Sequence, residues 1–170
     1  MYGGNIAINA ALTATNNTIS LDASGNVTDD ASGYVVADGL ALLGGKVNLD
    51  STSNNVVTIA ASGVGSLSYL DSNALTIGEV NLTGITATGD VFIATVTGNL
   101  TIRENIAMTS TSVSEIVIAA GTSASAGGAG TPAAGNILID STNGMPSLSV
   151  GTGGTIGLYS GDVAGSTGLT

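Results

Sequence analysis

Pairs of large aliphatic residues two positions apart punctuate the whole chain. They fall at Ile6/Ile8, Ile19/Leu21, Val47/Leu49, Val57/Ile59, Leu75/Ile77, Leu100/Ile102, Ile116/Ile118, Ile137/Ile139 and Ile156/Leu158. A period of two puts both members on one side of a β-strand. With one strand taken per cycle, centres fall near residues 20, 36, 58, 76, 101, 117, 138 and 157. Their mean step is about 20 residues, and repeats of that length signal solenoids or stacked arrays. Further short strands are expected between these centres, at 67–70, 91–93, 106–108 and 148–150, and Val80/Leu82 adds another apolar pair. Two or three short strands per cycle is the content of one β-solenoid coil.

The remaining chemistry agrees with stacked coils. No Asn-Gly or Asp-Gly hairpin turn interrupts residues 75–102, so their strands are expected to pair from coil to coil rather than along the chain. Gly numbers 26, and Ser, Thr and Asn are abundant; these residues suit corners and are weak helix formers. Aromatic residues are only 3% of the chain, so a narrow core of Val, Ile, Leu and Ala is expected, in which bulky rings fit badly. Charged residues make up 8%, against about 25% in ordinary globular domains. Like charges stacked at the strand spacing of about 4.8 Å repel, which keeps such faces neutral. The expected fold is an all-β, right-handed parallel β-helix (β-solenoid) of about eight coils of roughly 20 residues. Eight such coils make a single rod roughly 40 Å long.

The charge balance narrows the partners. Twelve acids face only Lys46 and Arg103, for a net charge of −10. Two basic residues cannot neutralise a phosphate backbone, so nucleic acid is excluded, and anionic lipid is disfavoured. Mean hydropathy is +0.46, yet no run approaches the ~18 apolar residues of a membrane helix, so no membrane insertion is expected. The chain has no Cys and no His. Thiol chemistry and a Ser-His-Asp triad are therefore ruled out. The start "MYGGNIAINA" lacks the basic and long apolar regions of a signal peptide and reads as the middle of a strand pattern. Both ends are expected to be cuts in a longer protein. Residues 119–136, "AAGTSASAGGAGTPAAGN", read as a Gly/Ala/Ser-rich external loop, and 22–33, "DASGNVTDDASG", as a second one.

Residues 54–102, "NNVVTIAASGVGSLSYLDSNALTIGEVNLTGITATGDVFIATVTGNLTI", resemble the degenerate repeats of filamentous-haemagglutinin-type exoproteins. The likeness is carried in order by Asn55–Ala60, Leu67–Asp71, Leu75–Val80, Gly84–Thr95 and Gly98–Ile102, and continues through "GNILID" at 135–140 and "GTIGLYSGDVAGSTGLT" at 154–170. The resemblance implies a right-handed parallel β-helix in a large bacterial surface or secreted protein exported by two-partner secretion. Adhesion, biofilm formation or contact-dependent toxin delivery would be its role. The secretion domain of such proteins is not recognisable in the chain.

Candidate sites are sparse. Asp22, Asp38, Asp50, Asp71, Glu79, Asp90, Glu104, Glu115, Asp140 and Asp162 are scattered along the sequence and read as turn-forming and solubilising acids. Asp29 and Asp30 could offer oxygens to Ca²⁺, but no EF-hand or nonapeptide loop surrounds them. Pairs such as Thr13/Thr15, Thr86/Thr88, Thr95/Thr97 and Thr109/Thr111 lack a common spacing and so do not make a regular Thr face. "GTGGTIG" at 151–157 has no Lys and reads as a coil corner, and Arg103/Glu104 as a surface pair. Asn48, Asn55, Asn81, Asn99 and Asn136 are expected to satisfy backbone groups at corners. No catalytic, cofactor-binding or metal residue is assigned, and no cofactor is expected.

The function expected is structural: an extended extracellular rod of a bacterial surface adhesin or biofilm matrix protein, without catalysis. Its partners would be neighbouring coils or copies of itself end to end, and host or matrix glycans or surface proteins. Two alternatives remain. A self-assembling filament subunit would show strand contacts at its tips, whereas a β-helical carbohydrate-active enzyme would show acids clustered in a groove.

Overall fold

A computed structural model describes residues 2–110, 113–121, 135–161 and 165–168. Its strands in chain order are β1 (Tyr2–Gly3), β2 (Ile6–Ile8), β3 (Ala11–Ala23), β4 (Val27–Asp29), β5 (Tyr34–Leu43) and β6 (Lys46–Leu49). There follow β7 (Asn55–Val64), β8 (Ser66–Asp71), β9 (Leu75–Ile77), β10 (Ile85–Ala87), β11 (Val91–Thr95) and β12 (Leu100–Ile102). The last are β13 (Ile106–Met108), β14 (Glu115–Ala120), β15 (Ile137–Ile139), β16 (Leu148–Ser149) and β17 (Thr155–Ser160). No helix occurs among the described residues, and every strand-to-strand ladder is parallel. The fold is the expected β-solenoid.

One sheet has seven strands in the order β17-β14-β11-β8-β6-β4-β2. Its register pairs Ile6 with Val27, Val27 with Val47, Val47 with Leu67, Leu67 with Val91, Val91 with Ile116 and Ile116 with Ile156. Differences between these paired numbers give coil lengths of 21, 20, 20, 24, 25 and 40 residues. The second sheet has ten strands; the short β1 at its edge is followed by three long ones, β3, β5 and β7. From the next rung on, each long strand is replaced by two short ones, β9 and β10, β12 and β13, β15 and β16.

The expected eight coils become six steps joining seven rungs. Two of the eight sequence centres, near 117 and 157, lie on the seven-stranded sheet, in the same coils as the centres near 101 and 138 on the other sheet. Six steps at strand spacing make a stack roughly 29 Å tall rather than roughly 40 Å.

Inside, aliphatic side chains stack from coil to coil. One ladder runs Ile19, Leu40, Ile59, Ile77, Ile102, Ile139. Another runs Leu21, Leu42, Ala61, Ile85, Ile106, Leu148. The third is the Ile6-to-Ile156 register already given, and all three, as far as Ile116 in the third, join one core cluster. Each fully buried Leu, Ile or Val contributes about 1.5–3 kcal/mol relative to exposure, and nearest-neighbour stacking adds these terms coil by coil.

Several local expectations change. The pair Val57/Ile59 does not share a face: Val56 and Ile59 are buried and Val57 points out, because β7 turns a corner between them. Val80 and Leu82 are not in a strand but in an external turn whose residue Asn81 has φ +55°. Tyr69 stands fully buried in the core ladder after Leu49. The core therefore accepts a ring where its hydroxyl has a partner. Residues 22–33 are not one loop, since Asp22 and Ala23 end β3 and 27–29 form β4. Ala119 and Ala120 are the buried end of β14, while residues 122–134 of the expected loop at 119–136 lie outside the described residues.

Candidate functional site

Most polar side chains that do structural work sit where a coil turns into the next strand. Asn5 Oδ1 accepts the backbone N–H of Asn26 at 2.9 Å, one coil on, and Asn26 Oδ1 accepts that of Lys46 at 3.3 Å. Asp90 does the same for Glu115 at 2.9 Å, Asn99 for Asn136 at 3.0 Å and Asn105 for Ser147 at 2.8 Å. Each bond gives a partner to an N–H that the corner would otherwise leave without one. Of the Asn residues expected in this role, Asn99 fills it, and Asn55 instead accepts a side-chain bond from Asn73 at 3.1 Å. Asn81 belongs to the external turn. The sequence reading missed Asn5, Asn26 and Asn105. Their signal is an Asn placed directly before the first buried aliphatic of a strand, as in Asn5-Ile6, Asn26-Val27, Asn99-Leu100, Asn105-Ile106 and Asn136-Ile137.

The densest polar group lies at the corner between β8 and the long strands. Asp71, at the end of β8, is fully buried. It accepts Tyr69 Oη–H at 2.7 Å, Val56 N–H at 2.9 Å and Asn73 N–H at 3.0 Å. Asn54 is buried beside it: its amide donates to the Leu49 and Leu70 carbonyls at 3.2 and 3.1 Å, and its Oδ1 accepts Val35 N–H at 2.8 Å. A third member, Asp29, accepts Ser51 N–H at 3.1 Å and Asp50 N–H at 3.3 Å. Burial pushes the Asp71 carboxyl up to about 6, although its hydrogen bonds pull the other way. Burial likewise raises Asp29, and burial with the Asp71 charge holds the Tyr69 phenol well above its usual range. One coil on, Thr95 replaces Asp71 in register, accepts Gly121 N–H at 2.9 Å and donates to the Gly98 carbonyl at 3.1 Å. The arrangement spends its lone pairs on backbone N–H groups of its own and adjacent coils and on the Tyr69 hydroxyl.

Most of the other acids are dispersed. Asp38 and Glu79 are brought together, lining a cleft of about 410 Å³ with Thr18, Gly39, Thr58, Val80 and Asn81; no Lys or Arg lines it. Asp140 directly follows β15 and meets Arg103 Nε at 2.8 Å. The hydroxyl and backbone N–H of Thr142, and then Arg103, hold its carboxyl low, at about 2. Arg103 therefore pairs with Asp140 and not with Glu104, which accepts from Asn143 at 3.0 Å. Asp29 and Asp30 do not converge: Asp30 instead caps its own turn by accepting from Ser32 and Gly33 at 2.8 and 2.9 Å. No cluster of three or more metal-ligating acids occurs among the described residues. Gly151–Gly154 closes a turn leading into β17, as the corner reading expects. Asp162 lies outside the described residues.

Outward Thr residues form one short column rather than a regular face. Thr58, Thr76 and Thr101 stack in register, but Gly39 interrupts the column on one side and Leu138 follows on the other. At the far end of the stack Thr167 bridges Leu138 of β15, while the last rung of the seven-stranded sheet is partly exposed. Ile156 and Leu158 of β17, in ladder positions, are 42% and 39% exposed. Asn136 Oδ1, the counterpart one coil on from Asn99, is buried without a hydrogen-bond partner.

No family model matches the chain, and neither a curated protein nor a solved structure matches it.

Proposed function

We propose that the chain is a structural segment of an extended β-helical rod, exposed outside the cell in a bacterial surface adhesin or biofilm matrix protein. The observation that carries the mechanical part is continuity. Three aliphatic ladders run from coil to coil, and most corner acids and amides hold the next coil's backbone rather than facing a shared cavity. A rod of that kind bears load along its axis and offers few exposed loops to proteases. The extracellular part rests on the repeat idiom of residues 54–102, which resembles filamentous-haemagglutinin-type exoproteins. Immunogold labelling of unpermeabilised cells of the source organism tests it. Label on the outer surface or matrix supports the reading, and label only after permeabilisation overturns it.

A second reading, a filament built end to end, is favoured by the partly exposed face of β17. Ile156 and Leu158 in ladder positions are suited to one more coil. Small-angle scattering over a concentration series separates the two. Lengthening with concentration favours the filament, and a constant length favours the rod segment. A carbohydrate-active role would centre on Asp38 and Glu79, which share a cleft without a basic residue.

A further inference from the structure

The fourth coil is 24 residues long where the two before it are 20. Its extra length builds the external turn at 78–84. Gly78 N–H donates to the Ile59 carbonyl at 3.1 Å and Ala61 N–H donates to the Gly84 carbonyl at 2.9 Å, so both ends of the turn are tied to β7 on either side of Ala60. Between them the chain doubles back: Glu79 bridges Thr83, Val80 N–H donates to the Leu82 carbonyl at 2.8 Å, and Gly84 N–H closes on Gly78 at 2.9 Å. Asn81 and Gly84 take the positive φ values, +55° and +64°, that the reversal requires.

The turn does not project into solvent. It lies back over the outer face of the ten-stranded sheet, toward earlier coils. Val80 is only 7% exposed and packs with Ala41 of β5 and Ala60 of β7, with Leu82 beside them. Gly39 of β5 makes the seat: a Cβ there would stand 2.6 Å from Val80 Cγ1 and 2.9 Å from Thr18 Oγ1. Asn81 Nδ2 reaches Ser20 Oγ of β3, 61 residues back, at 3.5 Å. A turn that belongs to the β9–β10 rung thus touches the three rungs before it.

Such contacts change how a stack opens. In a solenoid each coil touches only its neighbours, so rungs fray from an end one at a time. A contact spanning four rungs removes that freedom, because β5 cannot lift without breaking the Val80 seat, nor β3 without giving up the Asn81–Ser20 bond. We infer that residues 78–84 form a clasp that locks β3, β5, β7 and β9 into one cooperative block. The inference rests on the fold alone and stands whether or not the rod works outside the cell.

Native-state hydrogen exchange on the full chain tests it, reading the amides of Leu21, Leu42, Ala61 and Ile77 against Ile118 in β14. In the wild type the first four share one opening free energy and one denaturant dependence. In Val80→Ala, which keeps the backbone of the turn, and in Gly39→Ala, which unseats it, the block splits. Leu21 then exchanges about tenfold or more faster than Ile77, while Ile118 is unchanged. A graded series from Leu21 to Ile77 in the wild type overturns the clasp. So does a variant in which all five amides accelerate alike, or one in which none does.

Discussion

The buried Asp71 carboxyl makes the fold more stable in mild acid than at neutral pH. An unfolded chain titrates this group near 3.8, whereas burial places it at about 6 in the fold. Folding therefore favours the protonated form, and the associated stability is fully present below pH 3.8 and lost as pH rises through 6. Two pH units at about 1.4 kcal/mol each give about 3 kcal/mol in all, of which about 2 kcal/mol falls between pH 4.5 and 7. Asp29, also raised by burial, acts in the same direction. Asp140, held at about 2, acts in the opposite direction and titrates below this window. Urea unfolding followed by far-UV circular dichroism at pH 4.5, 5.5, 6.5 and 7.5 measures the slope, and Asp71→Asn isolates it from the general titration of the other acids. The wild type is expected to lose about 2 kcal/mol from pH 4.5 to 7. The variant is expected to lose markedly less, whatever its absolute stability. Stability that rises toward neutral pH, or a slope unchanged in Asp71→Asn, would refute the reasoning.

Three further outcomes follow from the packing. Ile59→Ala, in the middle of a ladder and fully buried, costs about 2–5 kcal/mol in a urea titration, whereas Ile156→Ala on the partly exposed rung costs under about 1 kcal/mol. Asn54→Ala removes a buried amide that serves Val35, Leu49 and Leu70 and costs about 2–4 kcal/mol in the same assay, since three backbone groups lose a partner at once. Arg103→Ala leaves the urea midpoint unchanged, because its pair with Asp140 lies at the surface and Thr142 supplies the carboxylate with two other hydrogen bonds.

The legible part of the fold was its periodicity. Pairs such as Leu75/Ile77 and Leu100/Ile102 are ladder rungs because side chains on one strand face repeat every two residues, and the sequence records that directly. Corner chemistry was harder to read. Val57 looks like a partner of Ile59, but β7 bends between them and rotates Val57 outward. The same limit hides the clasp. Val80/Leu82 has the spacing of a strand, and only the flanking Gly78 and Gly84 distinguish an external turn from a rung. Coil number was overcounted because aliphatic pairs carry no label for the sheet they join, so centres on both sheets entered one series. The Asp71 group was hidden for a different reason. Asp71 reads as a corner acid like the others until stacking closes β8 against the Asn54 corner and removes its water. The Asn that staples each coil was visible in principle, as an Asn set directly before a strand's first aliphatic residue.

The central claim is that every coil lies in register on the one before, and cysteine cross-linking tests it most directly, since the chain contains no Cys of its own. Thr76 and Thr101 are 25 residues apart in sequence and paired across β9 and β12, and Asn48 and Ser68 are paired across β6 and β8. Neighbouring strands bring such Cα atoms to about 4.8 Å, within the range a disulfide spans. Thr76→Cys with Thr101→Cys, and Asn48→Cys with Ser68→Cys, are each expected to close an intrachain disulfide under mild oxidation. A control of Thr76→Cys with Arg103→Cys, two residues out of register and just past the end of β12, closes far more slowly. Failure of both paired variants to cross-link, or equal cross-linking in the control, would contradict the stacked register.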